Sequence, residues 1–227
     1  MSNNFIDGRD LLVHAGPGAG KTLGALLGFK AMKSEGLLSN CLVFCHRNSI
    51  LSQWKESAGR LGVKLENLEK FTDHQLDLSA LDGLIVTYQG ASKNVYLINE
   101  FMANWKSRNL FAIADEVHHL GVDPEEVEGP VWGKTFLELT NLSRLRLGLT
   151  GTPFRSDNLA FCSARKVQIH AQGELIEQIN PDLCVEPLEL IAAGDVRPLE
   201  FHFQDGWVEH SHAGQPDRET SPLSKEQ

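Results

Sequence analysis

The segment Ala15-Gly16-Pro17-Gly18-Ala19-Gly20-Lys21-Thr22 concentrates the residue types that hold phosphate. Between Ala15 and Gly20 no side chain is larger than proline, so backbone N–H groups can converge on phosphate oxygens without obstruction. Lys21 supplies a cation long enough to reach β- and γ-phosphates, and Thr22 a hydroxyl suited to Mg²⁺. An apolar run, Leu11–His14, precedes the loop, and helical spacing of Leu23, Leu26, Leu27, Phe29 and Met32 follows it. A strand, a glycine-rich turn and a helix whose positive end faces the same anion make up a Walker A loop, here with Ala in the first position. Its expected binding residues are Ala15, Gly16, Gly18, Ala19, Gly20, Lys21 and Thr22.

A second group lies about ninety residues later. In Phe111-Ala-Ile-Ala114-Asp115-Glu116-Val117-His118 an apolar run ends in two carboxylates. A strand that delivers an acidic pair at its carboxyl end suits Walker B chemistry. Asp115 would hold Mg²⁺ through water, and Glu116 would orient or deprotonate the attacking water. The expected cofactors are ATP and Mg²⁺, with Thr22 and Asp115 toward the metal and Lys21, Asp115 and Glu116 in catalysis.

Asp115-Glu116-Val117-His118 resembles the Asp-Glu-x-His box of superfamily 2 helicases and translocases. Leu149-Thr150-Gly151-Thr152-Pro153 is similar to motif III in its Thr-Gly-Thr-Pro form, typical of the restriction-subunit and excision-repair groups. Two partial matches fall between them and the phosphate loop. Arg47, Gln53 and Trp54 resemble part of motif Ia, with Cys45-His46 standing where the family has Pro-Thr. Ile85-Val86-Thr87 resembles motif Ib. The resemblance implies that His118, Thr150 and Thr152 couple nucleotide state to nucleic-acid grip. It also implies that Arg47 and Thr87 face the phosphate backbone of one strand, where cations and hydroxyls serve better than base readers.

It implies further a three-layer RecA-like α/β domain, the first lobe of a nucleic-acid motor (helicase or translocase), with DNA expected ahead of RNA as the partner. No second lobe with motif VI follows the exit-like segment Ile191–Leu199, and no adenine-reading glutamine precedes the loop. Turnover by this chain alone is therefore expected to be slow, with a second RecA-like lobe supplied by another chain or by the missing remainder of the gene. A non-motor nucleotide-binding or interaction module, in effect a truncated helicase remnant, is the alternative.

The elements that must position these groups follow from hydrophobic patterning. Short apolar runs at Cys41–Cys45, Leu84–Thr87, Leu110–Ala114 and Leu145–Leu149 alternate with amphipathic stretches at Ser49–Leu61, Ser92–Ser107 and Lys134–Leu139, predicting a mostly parallel sheet with helices. Farther on, Lys166–His170 reads as a strand, and Glu174–Ile179 and Leu188–Ala193 as short helices. The expected organisation is an ATP-binding core over 1–160, an exit segment over 161–203, and a polar, partly disordered tail over 204–227.

The net charge of −9 is unevenly placed: residues 1–155 carry −1, residues 156–227 carry −8. The near-neutral core permits a local basic groove. Cys41, Cys45, Cys162 and Cys184 lack zinc-finger spacing and read as buried reduced thiols. No apolar run reaches the roughly 18 residues of a membrane span, and the N-terminus lacks signal-peptide character. A cytoplasmic protein without a membrane partner is expected.

Overall fold

The structure, a computed structural model, describes residues 9–68, 80–105, 109–120, 129–151, 166–171, 174–194, 207–210 and 219–222. Its centre is a seven-stranded sheet in which every pairing is parallel. The strands are β1 (Arg9–Ala15), β2 (Asn40–Cys45), β3 (Leu65–Asn67), β4 (Gly83–Thr87), β5 (Leu110–Asp115), β6 (Leu145–Thr150) and, after the two strands described below, β9 (Leu183–Val185). Their order across the sheet is β3-β4-β2-β5-β6-β1-β9.

Alternation along each strand divides the core into two faces. Cys41, Val43 and Cys45 of β2, Phe111 and Ile113 of β5, and Leu145, Leu147 and Leu149 of β6 pack beneath α1 (Lys21–Ser34) and α2 (Asn48–Arg60). Leu42 and Phe44, Leu84 and Val86, and Ala112 and Ala114 face the other way, beneath α3 (Tyr88–Lys93), α4 (Val95–Asn104) and α5 (Gly129–Thr140). Helices on both faces of a parallel sheet give the expected three layers. Near-continuous apolar strands are what such double coverage requires.

Two expectations change. The helix expected over Ser92–Ser107 is two helices that meet at Asn94, the residue that ends α3 and caps α4. Glu174–Ile179, expected to be helical, is a strand, β8, antiparallel to β7 (Lys166–Ala171). Its cross-strand partner supplies the backbone hydrogen bonds that a six-residue helix would have to find within itself. Two strands of three residues, β3 and β9, were too short to show a period. Leu188–Ala193 is helical as expected, within α6 (Pro187–Ala193), and Gly194 ends it.

Residues 1–196 form one compact unit and 197–227 another. In the second, Trp207–His210 (β10) pairs antiparallel with Glu219–Pro222 (β11). Among the described residues no helix is long and apolar enough to cross a membrane.

Candidate active site

The parallel sheet brings the carboxyl ends of β1, β5 and β6 side by side, the place where open α/β sheets bind ligands. β1 runs directly into the phosphate loop. Gly18 and Gly20 sit at φ 80° and 74°, the left-handed region that glycine enters without strain. Gly20 caps α1, and the N–H of Gly24 donates to its carbonyl at 2.8 Å. The Lys21 ammonium folds back over the loop, donating to the carbonyl oxygens of Ala15 at 2.7 Å and Gly16 at 3.1 Å. Gly151 lies against the same loop: a β-carbon there would stand 3.7 Å from the Ala15 oxygen and 3.7 Å from Lys21 Nζ. The end of β6 thus lies against the glycine-rich loop. Thr22 is half-buried at the start of α1.

Asp115 ends β5 on the face that carries α1 and α2. It is 6% exposed, and its Oδ2 accepts a 2.7 Å hydrogen bond from the indole N–H of Trp54, which is wholly buried on α2. The Tyr88 hydroxyl donates to the Asp115 carbonyl at 2.7 Å. Side chain and backbone are both held. Burial pushes the Asp115 carboxyl above its ordinary range, outweighing the Trp54 hydrogen bond; the Glu116 charge adds to the rise and Lys21 opposes it. Trp54 was expected as part of motif Ia. The missed signal is that a buried indole N–H needs an acceptor.

Glu116 is, among the described residues, the one non-glycine with positive φ, at 51°. Such a conformation costs on the order of 1 kcal/mol or more and persists only where its surroundings enforce it. It turns the chain out of β5, leaving the Glu116 side chain about a third exposed (32%). A short 3-10 turn over Val117–Leu120 follows. From it, His118 Nδ1 lies 3.1 Å from Thr150 Oγ1 and 3.4 Å from Glu116 Oε2. Thr150 is fully buried at the end of β6. The expected acidic pair, His118 and Thr150 therefore form one cluster.

The strand-facing candidates are placed differently. Arg47 is exposed at the N-cap of α2, immediately beyond β2. Thr87 is buried at the end of β4, and its hydroxyl accepts from the Gly90 N–H at 2.9 Å as the N-cap of α3. Thr152 lies outside the described residues, as does Cys162. The reading of Cys41 and Cys45 as buried thiols holds, and burial pushes the Cys41 thiol well above its ordinary range. Cys184 departs from it. It is exposed on β9, a three-residue strand that, among the described residues, has a neighbour on one side only.

The family described as type III restriction enzyme, Res subunit, matches residues 3–155. The uncharacterized protein Rv2917 of Mycobacterium tuberculosis is 30% identical over 96% of this chain, and the uncharacterized protein ML1624 of Mycobacterium leprae 29% identical over the same share. The chain spans 35% of the length of each. Among solved structures, the Sulfolobus solfataricus SWI2/SNF2 ATPase core in complex with dsDNA matches with a TM-score of 0.48 and 19% identity, over 67% of this chain and 30% of that one. A nuclease-deletion mutant of the Type ISP restriction-modification enzyme LlaGI, in complex with a DNA substrate mimic, matches with a TM-score of 0.49 and 15% identity, over 84% and 19%.

Proposed function

Because the chain belongs to the family of type III restriction enzyme Res subunits and carries a helicase-type NTPase domain of RecA-like fold, we propose that it binds ATP·Mg²⁺ as the first motor lobe of a DNA helicase or translocase. One observation carries this reading. Lys21, Asp115, Glu116 and Gly151 converge at one end of the sheet, with His118 bonded to the motif III residue Thr150.

The residues present fit the nucleotide. Pro17, Gly18 and Gly20 of the loop are exposed, and Lys21 would exchange two carbonyl partners for phosphate oxygens. Thr22 and Asp115 would hold Mg²⁺, whose charge, when bound, offsets that of the phosphates. Trp54 fixes which Asp115 oxygen stays turned inward. Glu116, the more exposed carboxylate, would accept the proton of the attacking water. His118 touches both Glu116 and Thr150, so a change at the acidic pair can pass to motif III and to Thr152 beyond it.

Arg47 would meet a strand phosphate directly. Thr87 would shape the turn after β4 that presents backbone N–H groups, since its own hydroxyl is engaged in capping. DNA as the strand, a cytoplasmic setting and a second RecA-like lobe complete the proposal. That lobe would bring an arginine finger, worth about 10³–10⁵ in rate in related enzymes.

Joined to a second RecA-like lobe, the chain should hydrolyse ATP faster when single-stranded DNA is added. Turnover that stays at the solvent background with both DNA and RNA would remove the motor reading and leave a nucleotide-binding module.

A further inference from the structure

On the face of the sheet opposite α1, β1 and β9 bring together residues with no part in nucleotide chemistry. His14 and Cys184 are direct register partners across this parallel pair. His14 Nδ1 lies 3.1 Å from Cys184 Sγ, and the thiol reaches Glu186 Oε1 at 3.1 Å. One donor atom from each residue lies within 4.8 Å of the other two, and among the described residues this is the one such group of three. His14 is buried, while Cys184 and Glu186 are exposed.

We propose that His14, Cys184 and Glu186 form a binding site for a borderline divalent cation, Zn²⁺ foremost. The donor set is one imidazole nitrogen, one sulfur and one carboxylate oxygen, a combination that Zn²⁺ accepts and that hard cations such as Mg²⁺ do not favour. Around tetrahedral Zn²⁺, with bonds of about 2.0–2.3 Å, neighbouring ligand atoms stand roughly 3.4–3.6 Å apart. The 3.1 Å separations here lie a few tenths of an ångström inside that, an adjustment within reach of two exposed side chains. Charge balances as well: a thiolate and a carboxylate offset the dication, and binding releases the Cys184 proton to solvent. Three protein ligands leave the fourth position to water.

The fold gives such an ion a task. β9 has three residues, pairs among the described residues only with β1, and leaves Leu183 54% exposed. Besides that register, Asp182 ties it to β1 by exchanging hydrogen bonds with the Leu12 backbone, at 3.0 Å and 2.9 Å. Little apolar burial holds it in place. An ion on His14 and Cys184 would staple this edge strand to β1 one residue before the phosphate loop begins. Thr150 is the register partner of His14 on its other side, so the staple would also sit one strand away from motif III.

The test uses the nucleotide-free chain with Mg²⁺ in excess, to occupy oxygen-rich sites. Co²⁺, replacing Zn²⁺, should give a thiolate-to-cobalt charge-transfer band in the near ultraviolet at about one equivalent. That band should vanish in Cys184→Ser and weaken about tenfold in affinity in Glu186→Gln. Both variants alter exposed side chains, and circular dichroism checks that they remain folded. Zn²⁺ should raise the melting midpoint of the parent chain and leave that of Cys184→Ser unmoved. Absence of the band, or its persistence unchanged in Cys184→Ser, overturns the proposal.

Discussion

Replacing Trp54 with Phe removes one hydrogen bond from the centre of the site while leaving an aromatic ring in the core. The indole N–H donates at 2.7 Å to Asp115 Oδ2, with Trp54 wholly buried and Asp115 6% exposed, so water cannot take over the lost bond. A buried hydrogen bond to a charged acceptor contributes about 1.5–3 kcal/mol. Shrinking the indole to a phenyl ring adds roughly 1 kcal/mol of lost packing. Trp54→Phe should therefore destabilise the fold by about 2.5–4 kcal/mol in urea unfolding. A double-mutant cycle separates the two contributions, because the packing loss also appears when Asp115 has become Ala, whereas the hydrogen-bond part does not. The expected coupling between Trp54→Phe and Asp115→Ala is about 1.5 kcal/mol or more. Additivity within about 0.5 kcal/mol would mean that Trp54 only fills space, and the claim that it positions the acidic pair would fall.

Other outcomes follow from the same geometry. Asp115 is held above its ordinary range, chiefly by burial, so the native state binds this proton more tightly than the unfolded chain; stability then falls as pH rises from the ordinary carboxylate range through the raised value. Asp115→Asn should accordingly melt higher than the parent at neutral pH, gain nothing below the ordinary carboxylate range, and lose Mg²⁺-dependent hydrolysis. His118→Ala should leave nucleotide affinity nearly unchanged and reduce the stimulation of hydrolysis by DNA about tenfold or more, since it cuts the link between Glu116 and Thr150; stimulation equal to the parent's would break that link in the account. A β-carbon at Gly83 would fall 2.2 Å from the Cys41 carbonyl oxygen, so Gly83→Ala should cost about 1–3 kcal/mol in unfolding experiments.

The sequence reveals what depends on neighbours along the chain and hides what depends on pairing across it. The apolar runs of β2, β4, β5 and β6 are legible because a doubly covered parallel strand must be apolar nearly throughout. Lys21, Thr22, Asp115 and Glu116 are legible because each stands at a fixed offset within a short motif. Glu174–Ile179 misleads because Leu175, Ile176 and Ile179 fit either period in so short a run, and only its pairing with the preceding strand β7 decides between them. The Trp54 bond spans 61 positions and the His14–Cys184 contact 170, and no spacing rule reaches that far. Thr87 shows the converse. Its place at the end of a strand was legible, but its hydroxyl is turned to the α3 cap.

The central claim is that Lys21 and its loop hold ATP·Mg²⁺, and equilibrium titration of the chain with Mg²⁺·ATP tests it most directly. The parent should bind saturably, and Lys21→Ala, which removes a charged donor worth about 1.5–3 kcal/mol, should bind at least about tenfold more weakly. Equal affinity in the two proteins, or no saturable binding by the parent, would contradict the account.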